Sequence, residues 1–173
     1  RGDVQSDPGG VLGMAFSLSP GSRSARLQPA PTQRIAMSHG QTKLVLVVAC
    51  ALIDVDGRIL LAQRPEGKSM AGLWEFPGGK IETGERPETT LIRELNEELG
   101  IRVKEDCLAP FAFASHGYDS FHLLMPLYVC RRWEGIVVPR EGQKLAWART
   151  NELANYSMPP ADVPLVAQLR DLL

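Results

Sequence analysis

Cysteine is scarce: Cys50, Cys107 and Cys130 are the only three in 173 residues, and no two of them form a CxxC pair. An odd number at such wide spacing argues against a disulfide framework or a zinc knuckle and fits reduced thiols in a cytoplasmic protein. A basic excess is also missing. The net charge is −1 and the sequence pI about 6.4, so no broad nucleic-acid surface and no stable nucleic-acid binding are expected. No apolar run reaches membrane-spanning length; the longest, Leu44 to Ile53, is the size of a strand, so no membrane partner is expected. What is left is an ordinary soluble composition, 44% hydrophobic and 23% charged, in a chain long enough for one domain with a sizeable core. Nothing in it requires more than a monomer.

The composition shifts near residue 40. Residues 1 to 40 are rich in Gly, Ser, Pro and Ala, as in "SLSPGSRSARLQPAPTQR", and carry neither helical nor strand periodicity. Such a stretch buries too little apolar surface to order itself, and it reads as a disordered leader before a domain over 41–173. Arg23, Arg26 and Arg34 with few acids raise the thought of a transit peptide, but the prolines and glycines oppose the amphipathic helix such a signal needs. Met37, just before the first apolar strand, is the expected start of the functional chain.

Beyond Thr42 the pattern tightens. "KLVLVVACALI" reads as a buried strand, and Asp56-Gly57 as a hairpin turn leading into "RILLAQR". A loop "PEGKSMAGLW" and the segment "EFPGGK" follow. A helix is expected over Pro87 to Leu99, with Pro87 in its first turn, Gly100 just past its end, and Leu91, Ile92, Leu95 and Leu99 as its apolar stripe. "RVKEDCLAPFAFASH", "FHLLMPLYVCRRW" and "KLAWAR" are strand-like, and "PADVPLVAQLRDLL" closes as a helix, with Asp162 at its N-cap position. Strands and helices mix without βαβ alternation, which predicts an α+β fold, an α/β/α sandwich with a mixed β-sheet.

The helix carries more acid than stability would ask for. Glu94, Glu97 and Glu98 stand at i, i+3 and i+4 and share one face, beside the apolar stripe. Their repulsion is offset either by solvent, with Arg93 as partial relief, or by a hard divalent cation, which takes carboxylate oxygens and keeps waters and substrate phosphates.

The surrounding spacing decides between the two. Gly79, Glu85, Arg93-Glu94-Leu95, Glu97-Glu98 and Gly100-Ile101 resemble the Nudix box without departure. Seven fixed positions match by chance on the order of once in a hundred million starts, and they fall on the loop–helix–loop the motif needs. "LLAQRPEGKSMAGLWEFPGGKIE", "EGQ" before a Trp-bearing strand, and "PPADVPL" before the last helix are similar to the MutT branch, so the resemblance runs from Thr42 to the C-terminus.

The resemblance implies a Nudix α/β/α sandwich and a Mg²⁺-dependent hydrolysis, with Mn²⁺ as a substitute, in which a nucleoside triphosphate yields the monophosphate and pyrophosphate. It implies Glu94, Glu97, Glu98, Glu141 and the Gly78 carbonyl oxygen as metal ligands, and Glu97 or Glu141 as the base. It implies Glu85 and Arg93 as an ion pair that fixes the ligands' geometry, and Arg64, Lys80, Phe76 and Asp162 as substrate contacts. The leading expectation is an 8-oxo-dGTP diphosphatase of the nucleotide pool. The rival is a CTP- or dCTP-type pyrophosphohydrolase, because "AQRP", "AGLWEF", "ASH" and "PADVPL" are also similar to that branch. A lesion-binding MutT-like module without catalysis is the third reading, and the intact box and near-neutral charge speak against it. Asp162 departs from the MutT pattern, which has an asparagine there.

Overall fold

The computed structural model describes residues 42–173; residues 1–41, and with them the expected leader, lie outside the described residues. Strand β1 (Lys43–Leu52) is central. Val48, Cys50 and Leu52 point into one core with Leu91, Leu95 and Leu99, while Ala49 and Ala51 point into another with Leu153, Leu165 and Leu169. A strand covered on both faces needs the unbroken apolar run that "VVACAL" supplies. The free thiols Cys50 and Cys130 are both buried in the first of these cores.

Two sheets form around it. β2 (Ile59–Gln63), β3 (Trp74–Glu75) and β7 (Lys144–Ala148) make an antiparallel sheet in the order β3-β2-β7. β4 (Gly78–Lys80), β1, β6 (Phe121–Cys130) and β5 (Leu108–Gly117) make the other, ordered β4-β1-β6-β5. This second sheet is mixed: β1 runs parallel to β6 and antiparallel to β4. α1 (Pro87–Leu99) covers one core and α2 (Val163–Leu172) the other. The expected α+β sandwich is therefore observed.

α1 has the expected bounds, with Pro87 in its first turn and Gly100 at φ 71 as a left-handed cap. Leu91, Leu95 and Leu99 are fully buried; each contributes roughly 1.5–3 kcal/mol by leaving water. Ile92 is only partly buried and packs at the margin.

Three expectations need correction. Asp56-Gly57 does make a turn, closed by the Asp54 carboxylate on the Asp56 and Arg58 amides, but not a hairpin. One bridge, Ile53 to Ile59, joins the end of β1 to β2 before they part into separate sheets, because both edges of β1 are already paired, with β4 and with β6. "RVKEDC" is not strand: Arg102 makes an isolated bridge, Glu105–Cys107 form a 3-10 turn, and β5 begins at Leu108. Asp162 occupies the N-cap position of α2, but its side chain makes no capping hydrogen bond.

Among the described residues no helix is long and apolar enough to cross a membrane.

Candidate active site

The turn between the two sheets builds the site. β3 ends at Glu75 in one sheet and β4 starts at Gly78 in the other, so Phe76 and Pro77 carry the chain across the cleft. Glycine is required on arrival. At φ 151, a Cβ on Gly78 would strike the Val48 carbonyl oxygen, and one on Gly79 would strike the Glu94 carboxylate. The backbone of β4 thus lies directly against the acidic face of α1.

Arg93 organises that face. Its Nε and Nη2 donate to the two oxygens of Glu85, each at 3.1 Å, the paired geometry expected for this arginine. Its Nη1 donates to Glu94 at 2.8 Å and to Glu97 at 3.1 Å. Thr90 also donates to Glu85, and these bonds, Arg93 first, hold the Glu85 carboxyl down to about 2.

Glu141 comes from the loop before β7. The Gln143 side chain accepts from the Glu141 amide and donates to the Glu98 carbonyl, which docks this loop on the end of α1. The carboxylate of Glu141 is taken by Lys68 at 2.6 Å. Among the described residues Glu98 makes no ion pair. Burial, then the neighbouring charges of Glu94, Glu141 and Glu75, push its carboxyl up to about 8, although the Gly78 amide donates to it.

These groups meet at a cavity of about 340 Å³. Gly78, Glu94, Glu98, Glu141, Arg64 and Lys80 all line it, as do Phe76 and Asp162. Glu97 does not. It is exposed and borders a shallow concavity of about 650 Å³ on the other side of α1, with Ile92 and Val103. Among the described residues no three acidic, histidine or cysteine side chains are gathered as a closed metal cage; Arg93 and Lys68 take the carboxylates of Glu94, Glu97 and Glu141.

The donor set still fits a hard divalent cation. Glu94, Glu98 and Glu141 line one cavity, and Glu98 is half-buried among like charges that raise its carboxyl.

A second cavity of about 190 Å³ adjoins the first and shares Arg64, Glu75, Met125 and Asp162 with it. Its wall is more apolar, with Tyr118 stacked on Phe121 at 4.7 Å between ring centroids. Asp162 is 4% exposed. Burial first, then the charge of Glu75, pushes its carboxyl up to about 7, while the Phe76 amide donates to it.

Sequence reasoning missed Glu75, Lys68 and Gln143. Glu75 and Lys68 stand in "WEF" and "GKS" with no spacing that marks them as functional. Gln143 had a signal, the "EGQ" that was read for its glutamate alone.

An acidic helix face, a glycine-bearing strand laid against it and a pocket with an aromatic wall suit a divalent cation beside a flat ring, as in an enzyme acting on nucleotides. The comparisons with known proteins agree. The NUDIX domain model matches residues 48–168, and the chain belongs to that family. Over 126 residues it is 41% identical to the CTP pyrophosphohydrolase of Escherichia coli, covering 72% of this chain and 90% of that protein. Over 128 residues it is 35% identical to the 8-oxo-dGTP diphosphatase of Escherichia coli, covering 73% and 98%. A solved MutT structure, from a study of the Aliivibrio salmonicida and Vibrio cholerae proteins, superposes with a TM-score of 0.65 at 36% identity, covering 76% of this chain and all of that one. The chain is a MutT-like Nudix hydrolase, of a family that is generally dependent on divalent metal.

Proposed function

We propose that this enzyme hydrolyses nucleoside triphosphates to the monophosphate and pyrophosphate. The observation that carries the reading is Glu98, a half-buried carboxylate with no ion-pair partner among the described residues, which lines one cavity with Glu94, Glu141 and Gly78 beside an aromatic pocket. Mg²⁺, or Mn²⁺ in its place, would be held by Glu94, Glu97, Glu98, Glu141 and the Gly78 carbonyl oxygen, and would neutralise phosphate charge and acidify water. Glu97 would have to leave Arg93 to join that set.

The residues supply the rest. Arg64, Lys68 and Lys80 line the same cavity and meet the phosphate oxygens. Glu141, which lines the cavity, or Glu97, once it has left Arg93, takes the proton of the attacking water. The Arg93–Glu85 pair keeps α1 and the preceding loop in register. The base stacks in the Tyr118–Phe121 pocket with Asp162 at its edge.

An oxidised purine, as in 8-oxo-dGTP, is the leading substrate, because the surrounding pattern is that of MutT. A cytosine nucleotide is the second reading. Asp162 favours it: an ionised carboxylate can only accept, which suits an exocyclic amine. The reading places the enzyme in the cytoplasm with the nucleotide pool and asks for no nucleic-acid partner. The test is a set of specificity constants over normal and damaged triphosphates, read by pyrophosphate release. Absence of pyrophosphate from every triphosphate in the presence of Mg²⁺ would overturn the proposal.

A further inference from the structure

Arg64 and Glu75 line both the acidic cavity and the aromatic one. On the nucleotide reading the acidic cavity would hold phosphate, through Lys68 and Lys80 and through a cation on the carboxylates. The aromatic cavity, with Tyr118, Phe121 and Leu123, has the flat apolar wall a base requires. In a nucleotide the sugar joins base to phosphate, so it would lie at the junction that Arg64 and Glu75 form with Val47, Met125 and Asp162; with Asp162 at the base edge, Arg64 and Glu75 are the polar groups left for the sugar.

The pair itself is asymmetric. Arg64 donates through Nη1 to Glu75 Oε2, and its Nε is spent on the Ser69 carbonyl at 2.7 Å. Glu75 Oε1 takes no hydrogen bond among the described residues, and it is not sealed from the cavity. The Glu75 side chain keeps 31% of its surface accessible. An ionised carboxylate is an acceptor only, and the donors a sugar offers are its hydroxyls.

We infer that Glu75 Oε1 accepts a hydrogen bond from a sugar hydroxyl of the substrate and sets the enzyme's preference among ribo-, 2′-deoxy- and 3′-deoxynucleotides. The inference rests on the nucleotide reading of this site. Arg64 aims the carboxylate and opposes the rise that burial gives it, and leaves the rest of its guanidinium for the first phosphate.

The experiment compares three sugars on one base: the ribo, 2′-deoxy and 3′-deoxy triphosphates. Specificity constants are measured for the wild type and Glu75→Ala, and the matching monophosphates are titrated calorimetrically into both proteins without metal. In the wild type, loss of the contacted hydroxyl is expected to cost about tenfold or more, the size of a hydrogen bond to a charged acceptor. The arm that suffers, 2′ or 3′, identifies the hydroxyl. In Glu75→Ala the penalty is expected to shrink to about twofold or less, even if all rates fall because Arg64 loses its partner. Equal losses on every sugar with unchanged ratios would make Glu75 a positioning residue for Arg64 and overturn the inference, as would a wild type indifferent to both hydroxyls. Should Glu75→Ala fail to melt cooperatively, Glu75→Gln carries the comparison; its neutral oxygen lowers the penalty by at least about threefold, and an unchanged penalty again overturns the inference. Monophosphate binding that keeps its Glu75-dependent hydroxyl preference while no triphosphate is cleaved would sink the activity and leave this contact standing.

Discussion

The ammonium of Lys68 lies 2.6 Å from the carboxylate of Glu141, a residue 73 positions further along the chain. The pair spans the mouth of the acidic cavity, and burial costs Lys68 less than the Glu141 hydrogen bond returns, so its pKa rises. Lys68 therefore competes with a divalent cation for the same carboxylate while helping to bind phosphate.

Lys68→Met is expected to separate those roles. The concentration of Mg²⁺ needed for half-maximal rate should fall, by up to about fivefold, the ceiling for a partly exposed ion pair. KM for the triphosphate should rise, because a phosphate contact is gone. Titrations of rate against Mg²⁺ and against nucleotide read the two effects, and a rise in the Mg²⁺ requirement would show that Lys68 does not compete.

Glu97→Gln and Glu98→Gln should each reduce turnover by more than the 10- to 100-fold typical of residues that merely support a metal ligand. Their effects on folding should differ. Glu98→Gln removes a half-buried charge set among like charges and should raise the melting temperature of the metal-free protein at pH 8. Glu97→Gln gives up an exposed ion pair with Arg93 and should change it little. Thermal melts beside turnover at saturating Mg²⁺ check both halves; near wild-type turnover in both variants would remove the metal role.

The metal-free protein should lose stability as pH rises from about 5 to about 8. Glu98 at about 8 and Asp162 at about 7 both sit above their ordinary values. In that window the folded state holds protons that the unfolded state has released, so each unit of pH subtracts at most about 1.4 kcal/mol per group. Glu85 acts oppositely but lower: its contribution is present above its ordinary value and lost as pH falls toward about 2. Urea unfolding across this range should show a slope that Glu98→Gln and Asp162→Asn each reduce and that Mg²⁺ flattens. A flat profile without metal would contradict the burial of both carboxyls.

Base preference should follow the charge of Asp162. Below about 7 its carboxyl is protonated, and like an asparagine it can donate to O6 of 8-oxoguanine and accept from N7–H. Above that it only accepts, which suits N4 of cytosine. Asp162→Asn is expected to favour 8-oxo-dGTP over CTP and dCTP by roughly 1–3 kcal/mol at high pH and to remove the pH dependence of the ratio. Ratios of specificity constants at two pH values decide it; a constant ratio in the wild type would detach Asp162 from the base.

Local chemistry made much of this protein legible in advance. Periodic leucines, a proline at one end and a glycine at the other determined α1 from Pro87 to Leu99, because a helix is set by neighbours within one or two turns. The same spacing placed Glu94, Glu97 and Glu98 on one face, and an unbroken apolar run marked β1 as buried on both sides. Tertiary structure alone decided which of those acids share a cavity. Glu98 faces Glu141 because Gln143 docks a distant loop on the helix end, whereas Glu97, one residue away, turns outward to Arg93. It also decided that β1 and β2 part after a single bridge, and that Asp162 stands buried beside Phe76 instead of capping α2. Apart from the local Glu97–Arg93 pair, each of these depends on contacts across tens of residues. Charge partners and burial at that distance are set by how the sheets pack, and no local pattern in the chain encodes them.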